Sequence, residues 1–211
     1  SAAQAEWASR RLAEAGLEDR AEVRQLDYRE VEETGFDAIS SVGVMEHIGT
    51  AELGQHFSFL ASKLRSRGRL LNHTITRASN RGETRIGGFN DRYIFPDGEL
   101  QGPGNVIGAI HDHGFELRHT ENLREHYALT LRAWGRNLER HWAEAVAEVG
   151  ERRARAWRLY MAISRLAFET NRVEIHQMLG VRLDRDGRSG MPLRPSWERR
   201  VDERPAVGAP A

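Results

Sequence analysis

Apolar positions along this chain recur with two periods, one helical and one strand-like. Ser1 to Ala15 carries Trp7, Leu12 and several alanines at helical spacing; Ser1 is placed as an N-cap and Gly16 as a stop. Ala21 to Leu26 reads as a short strand ending at Asp27-Tyr28. Asp37 to Gly49 then runs apolar and small through Ile39, Val42 and Val44 and stops at an acid–imidazole pair, Glu46-His47. A run bounded by turn residues in this way reads as a buried strand of a parallel sheet. Thr50 is placed to cap a helix with Leu53, Phe57, Leu60 and Leu64 on its apolar face, closed by Gly68. Arg69 to Ile75 is the next strand, with His73 near its end.

This alternation predicts an α/β fold with right-handed crossovers. In such sheets the ligand crevice lies outside the carboxyl ends of the strands. Three strand ends would then deliver Asp27-Tyr28, Glu46-His47 and His73 to one rim. Ala78 to Pro103 breaks the pattern with seven glycines or prolines and an aromatic cluster, Phe89, Tyr93 and Phe95. A long irregular insertion in a compact domain is usually functional, so it reads as a lid or substrate-binding segment. Val106 to His113 predicts a short helix and Phe115 to Leu123 a strand. Tyr127 to Val149 and Glu151 to Thr170 predict two long helices joined near Gly150, and Arg172 to Arg182 a final strand. Residues 1–183 read as one domain and 184–211 as an extended tail, disordered from Val201 to Ala211.

Charge narrows the function classes. Charged residues make up 29% of the chain and cancel to a net charge of zero, which argues against a dedicated nucleic-acid binder. Arginine dominates the cations, with Lys63 the only lysine. There is no cysteine, hence no disulfide, thiolate metal site or cysteine nucleophile within these residues. No apolar run approaches the ~18 residues of a membrane span, and no amphipathic basic helix stands out. The expectation is a cytoplasmic protein.

Each candidate residue has a structural reading beside its functional one. Asp27 after a strand suits a ribose or an adenine amino group, with Tyr28 packing on the ring, and equally suits a turn cap. Glu46 follows an apolar run that would bury it, so it needs a partner or a proton. His73 on an apolar strand is by itself more often a satisfied core histidine; beside Glu46 it points to a site. Tyr127 fits the aromatic stripe of an amphipathic helix. His111 and His113 resemble a metal pair, but their place before Gly114 fits a helix C-terminal cap better.

Four segments in order carry a family signature: Val42-Gly43-Val44-Met45-Glu46-His47-Ile48-Gly49, Leu71-Asn72-His73-Thr74-Ile75-Thr76, Tyr93-Ile94-Phe95-Pro96-Asp97-Gly98-Glu99-Leu100, and His126 through Trp134. Together they resemble the cyclopropane-fatty-acyl-phospholipid synthase family, which includes the mycolic acid cyclopropane synthases. The resemblance covers roughly residues 1 to 195. It implies a Rossmann-like class I methyltransferase sheet with helices on both faces, lacking its N-terminal strand and Gly-rich loop, and an aromatic lid. It implies S-adenosylmethionine as methyl donor and a bound bicarbonate as base, held by Glu46, His73 and Tyr127, with the amide at Val42 contributing. The cofactor would contact Ser1, Gln4, Asp27, Tyr28, Arg29, Val42 and Gly43; Asp27 would meet the adenine amino group. Phe89, Tyr93 and Phe95 would form the lid. Glu174-Ile175-His176-Gln177 and Ser189 through Arg194 look similar to the branch that makes methylene-branched chains.

The implied substrate is an unsaturated phospholipid acyl chain at the inner membrane face, where the protein would sit peripherally, with a homodimer as the expected assembly and no nucleic acid. The competing reading is a non-catalytic lipid-binding or assembly module derived from the same fold.

Overall fold

The computed structural model describes residues 1–82, 85–86, 88–96 and 98–193. Helices α1 Ala2–Glu14, α2 Leu53–Lys63, α3 Gly88–Tyr93, α4 Pro103–Asp112, α5 Arg124–Arg140, α6 Trp142–Val149 and α7 Glu151–Glu169 surround one sheet. Its strands, β1 Phe36–Val42, β2 Leu64–Arg77, β3 Glu116–Asn122 and β4 Val173–Val181, lie in the order β1-β2-β4-β3. β1 is parallel to β2, while β4 is antiparallel to β2 and β3.

β2 divides the two cores. From Gly68 to Thr76 every second residue is buried, because successive side chains of a strand point to opposite faces. Leu70 on the buried face joins Phe57 and Leu60 of α2 and Val106 and Ile110 of α4. Ile75 on the other face joins Ile175 of β4, Ala128 and Leu131 of α5 and Phe168 of α7. Each fully buried aliphatic or aromatic side chain here contributes about 1.5–3 kcal/mol. His73 shares the face of Ile75, and so points toward the α5–α7 layer.

Local chemistry explains most boundaries. Ser1 and Gln4 form a reciprocal capping box at α1. Pro103 sits in the first turn of α4, where its missing N–H is not needed. At the other end of α4 the His113 ring bonds the Ala109 carbonyl at 2.8 Å, the C-terminal capping role expected for it.

Several sequence expectations are corrected. Ala21 to Leu26 is not a strand; it is exposed and pairs with no strand among the described residues. β1 stops at Val42 and is largely exposed, since only β2 pairs with it; Met45–His47 is a separate 3₁₀ turn. Thr50 opens a 3₁₀ turn and bonds Glu99 instead of capping α2. Gly68 lies inside β2, which begins at Leu64 directly after α2. His73 is mid-strand, four residues before the end of β2, because the strand extends to Arg77. The helix predicted over Tyr127 to Val149 breaks at His141 into α5 and α6. The insertion contains one helical segment, α3. The disorder expected over Val201 to Ala211 lies outside the described residues.

His56 of α2 is buried beneath Tyr28, with ring centroids 5.0 Å apart, and neither ring nitrogen has a partner. Burial pushes its pKa down to about 4, so between about pH 6.5 and about pH 4 the unfolded chain binds a proton that the folded chain refuses. Stability is therefore full above this window and is lost as pH falls through it. His73 and His176, both lowered by burial, add to the same trend. His56→Leu should flatten the dependence, measured as the difference in urea midpoint between about pH 7.5 and about pH 5. An unchanged difference would mean that His56 is not the dominant acid-sensitive group.

Candidate functional site

The site is built where β1 ends early. Gly43 has φ +62°, a left-handed conformation that favours glycine, and its N–H bonds the His73 carbonyl at 3.0 Å. That turn takes the chain out of the sheet and into the 3₁₀ turn Met45–His47. β2 continues beyond its last β1 partner, the pair Val42–His73, so the Ile75 N–H on that side has no strand to meet. Glu46 supplies the acceptor: its Oε1 takes the Ile75 N–H at 2.7 Å. The carboxylate acts in place of the next peptide of β1. Its own carbonyl accepts from the Glu99 N–H at 2.9 Å, tying the turn to the insertion.

Glu46 is only 8% exposed, and its second oxygen, Oε2, is buried without a partner among the described residues. A buried polar atom in this state costs about 1–3 kcal/mol, so it asks for a ligand or a proton. Three titratable side chains share its field. Burial lowers the His73 pKa, an effect Glu46 opposes, and His73 Nδ1 is also buried and has no partner among the described residues. Burial raises the Tyr127 phenol, reinforced by Tyr160 and Glu46. Burial raises the Tyr160 phenol too, against a hydrogen bond with Ser164 that lowers it, and Glu46 adds to the rise. Near neutral pH the site thus holds a neutral imidazole and two phenols that keep their protons.

Two cavities meet here. An open cleft of about 960 Å³ is lined by Ser1, Asp27, Tyr28, Arg29, Gly43, Val44 and His47, with Phe59 on its aromatic wall. A chamber of about 400 Å³ is lined by Glu46, Ile75, Phe95, Tyr127, Trp134, Trp157 and Tyr160, among other largely apolar groups. Gly43 and His47 line both. The edge-on stack of Tyr28 with His56 and Phe59 anchors the cleft wall on α2.

The expected residues divide between these spaces. Glu46 and Tyr127 line the chamber; His73 is not among the lining residues but is close enough to feel the Glu46 charge. Asp27 lines the cleft, but both its oxygens are held by Arg29, at 2.9 and 2.7 Å, and it also caps the turn at the Arg29 N–H. This ion pair lowers its pKa to about 2. Ser1 and Gln4 line an adjoining groove of about 620 Å³ with Asp27. Val42 is 60% exposed at the end of β1 and lines neither cavity. Of the three lid aromatics only Phe95 reaches the chamber; Phe89 and Tyr93 pack on each other, their ring centroids 5.2 Å apart.

The sequence places His47 at the rim beside Glu46 but assigns it no role, and Trp134, Trp157, Tyr160 and Ser164 are not among its candidates. The signal was present on α7: Trp157, Tyr160, Ser164 and Ala167 recur at helical spacing, yet a core stripe reads identically until the neighbouring layer is known.

Comparison with known proteins places the chain in a family. A probable fatty acid methyltransferase of Mycobacterium tuberculosis is 52% identical over 198 residues, 94% of this chain and 46% of that protein. The cyclopropane-fatty-acyl-phospholipid synthase of Escherichia coli K12 is 28% identical over 153 residues, 72% of this chain and 39% of that protein. The chain therefore spans less than half the length of these relatives. A solved mycolic acid cyclopropane synthase, complexed with SAH and CTAB, superposes with a TM-score of 0.72 at 23% identity, over 82% of this chain and 66% of that one. The likeness is one of fold, that of class I S-adenosylmethionine methyltransferases. Residues 1–178 match the family described as mycolic acid cyclopropane synthetase, and the chain belongs to that family.

Proposed function

We propose that this chain forms the acyl chamber and one wall of the cofactor cleft of a methyltransferase acting on the cis double bond of an unsaturated phospholipid acyl chain. The product would be a cyclopropane or a methylene-branched chain. The observation that carries the reading is the free oxygen of a buried carboxylate in the wall of an aromatic chamber that joins an open cleft at Gly43 and His47. The relatives, a probable fatty acid methyltransferase and a cyclopropane-fatty-acyl-phospholipid synthase, support the substrate class.

The cleft suits an adenosine. Tyr28 and Phe59 offer aromatic faces, and Asp27 offers an acceptor that an adenine amino group would share with Arg29. S-adenosylmethionine bound there would supply an electrophilic methyl group.

The chamber suits the other half of the reaction. A cis-unsaturated chain among Phe95, Trp134, Trp157 and Tyr160 would be shielded from water. The same ring faces would stabilise positive charge developing on it. Proton removal needs a base near that charge. The unpartnered Glu46 Oε2 and His73 Nδ1, with the Tyr127 hydroxyl, fit a small oxyanion such as bicarbonate, which would supply the proton acceptor. Glu46 and an anion repel each other unless a proton lies between them. Ile75 keeps the carboxylate fixed through Oε1, leaving Oε2 for this work.

Incubating the full-length protein with methyl-labelled S-adenosylmethionine and an oleoyl phospholipid should label the acyl fraction. An unlabelled acyl fraction, with an active family enzyme as control, contradicts the reading. Glu46→Gln should cut turnover by about 10²–10⁴-fold while cofactor affinity stays nearly intact; loss of cofactor binding instead would put Glu46 in the cleft half of the site. His73→Ala and Tyr127→Phe should each raise the bicarbonate concentration needed for half-maximal rate by about ten-fold, the effect of losing one charge-assisted hydrogen bond. An unaltered bicarbonate dependence in both variants would place the anion elsewhere.

A further inference from the structure

The α5–α7 helix pair has a second concave face. A groove of about 710 Å³ runs between the two helices, and five arginines, Arg132, Arg136, Arg140, Arg158 and Arg165, line it against one acid, Glu139. In a chain of zero net charge this is a local concentration, not a bulk property. Arg158 pairs with Glu139 at 2.6 Å and Arg165 with Glu169 at 2.8 Å. Arg132, Arg136 and Arg140 form one stripe at i, i+4 and i+8 of α5; all three are exposed, and no side-chain partner holds them among the described residues. Like charges at this spacing repel along a helix, so the stripe is unfavourable until an anion lies on it.

We infer that this groove is a docking surface for the phosphate layer of an anionic phospholipid membrane. Guanidinium groups match phosphate oxygens in paired hydrogen bonds. The same two helices expose leucines, Leu129 at 53%, Leu159 at 47% and Leu166 at 55%, an apolar addition that a lipid surface accommodates and a purely acidic protein partner does not require. α7 also links the two faces. Arg158, Met161 and Arg165 line the groove, while Trp157, Tyr160 and Ile163, about half a turn away, line the acyl chamber. Trp157 and Ile163 are 37% and 41% exposed, so that chamber wall is open at its edge. A membrane engaged by the arginines would lie beside the helix that walls the chamber. The inference rests on a lipid substrate, as proposed above, but its test does not depend on turnover.

The test is co-sedimentation of the full-length protein with vesicles of phosphatidylcholine, alone or mixed with phosphatidylglycerol. The protein should bind the mixed vesicles, bind the neutral ones far less, and release with added salt. A cation held near an anionic surface is worth about a five-fold change in binding, so R132Q/R136Q/R140Q should weaken binding by about 100-fold. R158Q/R165Q should have a smaller effect, since those arginines already have partners. Circular dichroism establishes that the variants fold; should the triple variant melt early, R136Q alone and the salt titration of the wild type decide. Glu46→Gln should bind vesicles as the wild type does, which separates failure of docking from failure of methyl transfer. Equal binding to neutral vesicles, or unchanged binding by the folded triple variant, would overturn the inference. So would arginine-dependent capture of an acidic acyl-carrying protein without vesicle binding.

Discussion

One hydrogen bond organises the site: the Glu46 carboxylate accepting the Ile75 N–H at 2.7 Å where β1 has stopped and β2 has not. An unpaired peptide N–H inside a sheet is costly, and a side chain closes the gap. That solution brings a carboxylate into a buried position and commits only one of its oxygens. Gly43 makes it sterically feasible, because the left-handed turn at its φ of +62° is what lets Glu46 return to β2. The buried carboxylate and the end of β1 are thus two consequences of one backbone event.

From that point the helices divide the work. α2 supports the cleft through the Tyr28, His56 and Phe59 rings, and α5 and α7 wall the chamber through Tyr127, Trp134, Trp157 and Tyr160. Gly43 and His47 stand between the two, where a group bound in the cleft would meet a chain in the chamber. The opposite face of α5–α7 carries the arginine groove. One helix pair therefore carries both an arginine-lined groove and a wall of an aromatic chamber, which the proposed phospholipid substrate would use together.

The fold class was legible because the apolar periods of α2, β2, α4 and β4 are strong. Ala21 to Leu26 failed for a physical reason: strand propensity describes a segment that has a neighbour, and this one has none among the described residues. The length of the Glu46 strand was misjudged because Val44 and Met45 continue the apolar run after the backbone has left the sheet at Gly43. Glu46 and His73 stood out by their places on apolar strands, and Tyr127 only through its segment's resemblance to a family. Tyr160 was missed because a core stripe and a chamber wall have the same spacing on a helix. The Arg132, Arg136 and Arg140 stripe of α5 stands at helical spacing in the sequence and was passed over; the groove it forms with Arg158 and Arg165 exists only once α5 and α7 pack side by side.

The central claim is that cleft and chamber are the two halves of one reaction site joined at Gly43 and His47. A crystal structure of the full-length protein with S-adenosylhomocysteine and a cis-unsaturated lipid tests it most directly. The account predicts the cofactor sulfur at the Gly43–His47 opening, the acyl chain between Phe95, Trp134 and Tyr160, and the double bond near Glu46. An acyl chain bound outside the chamber, or a cofactor whose sulfur points away from Gly43, would contradict it.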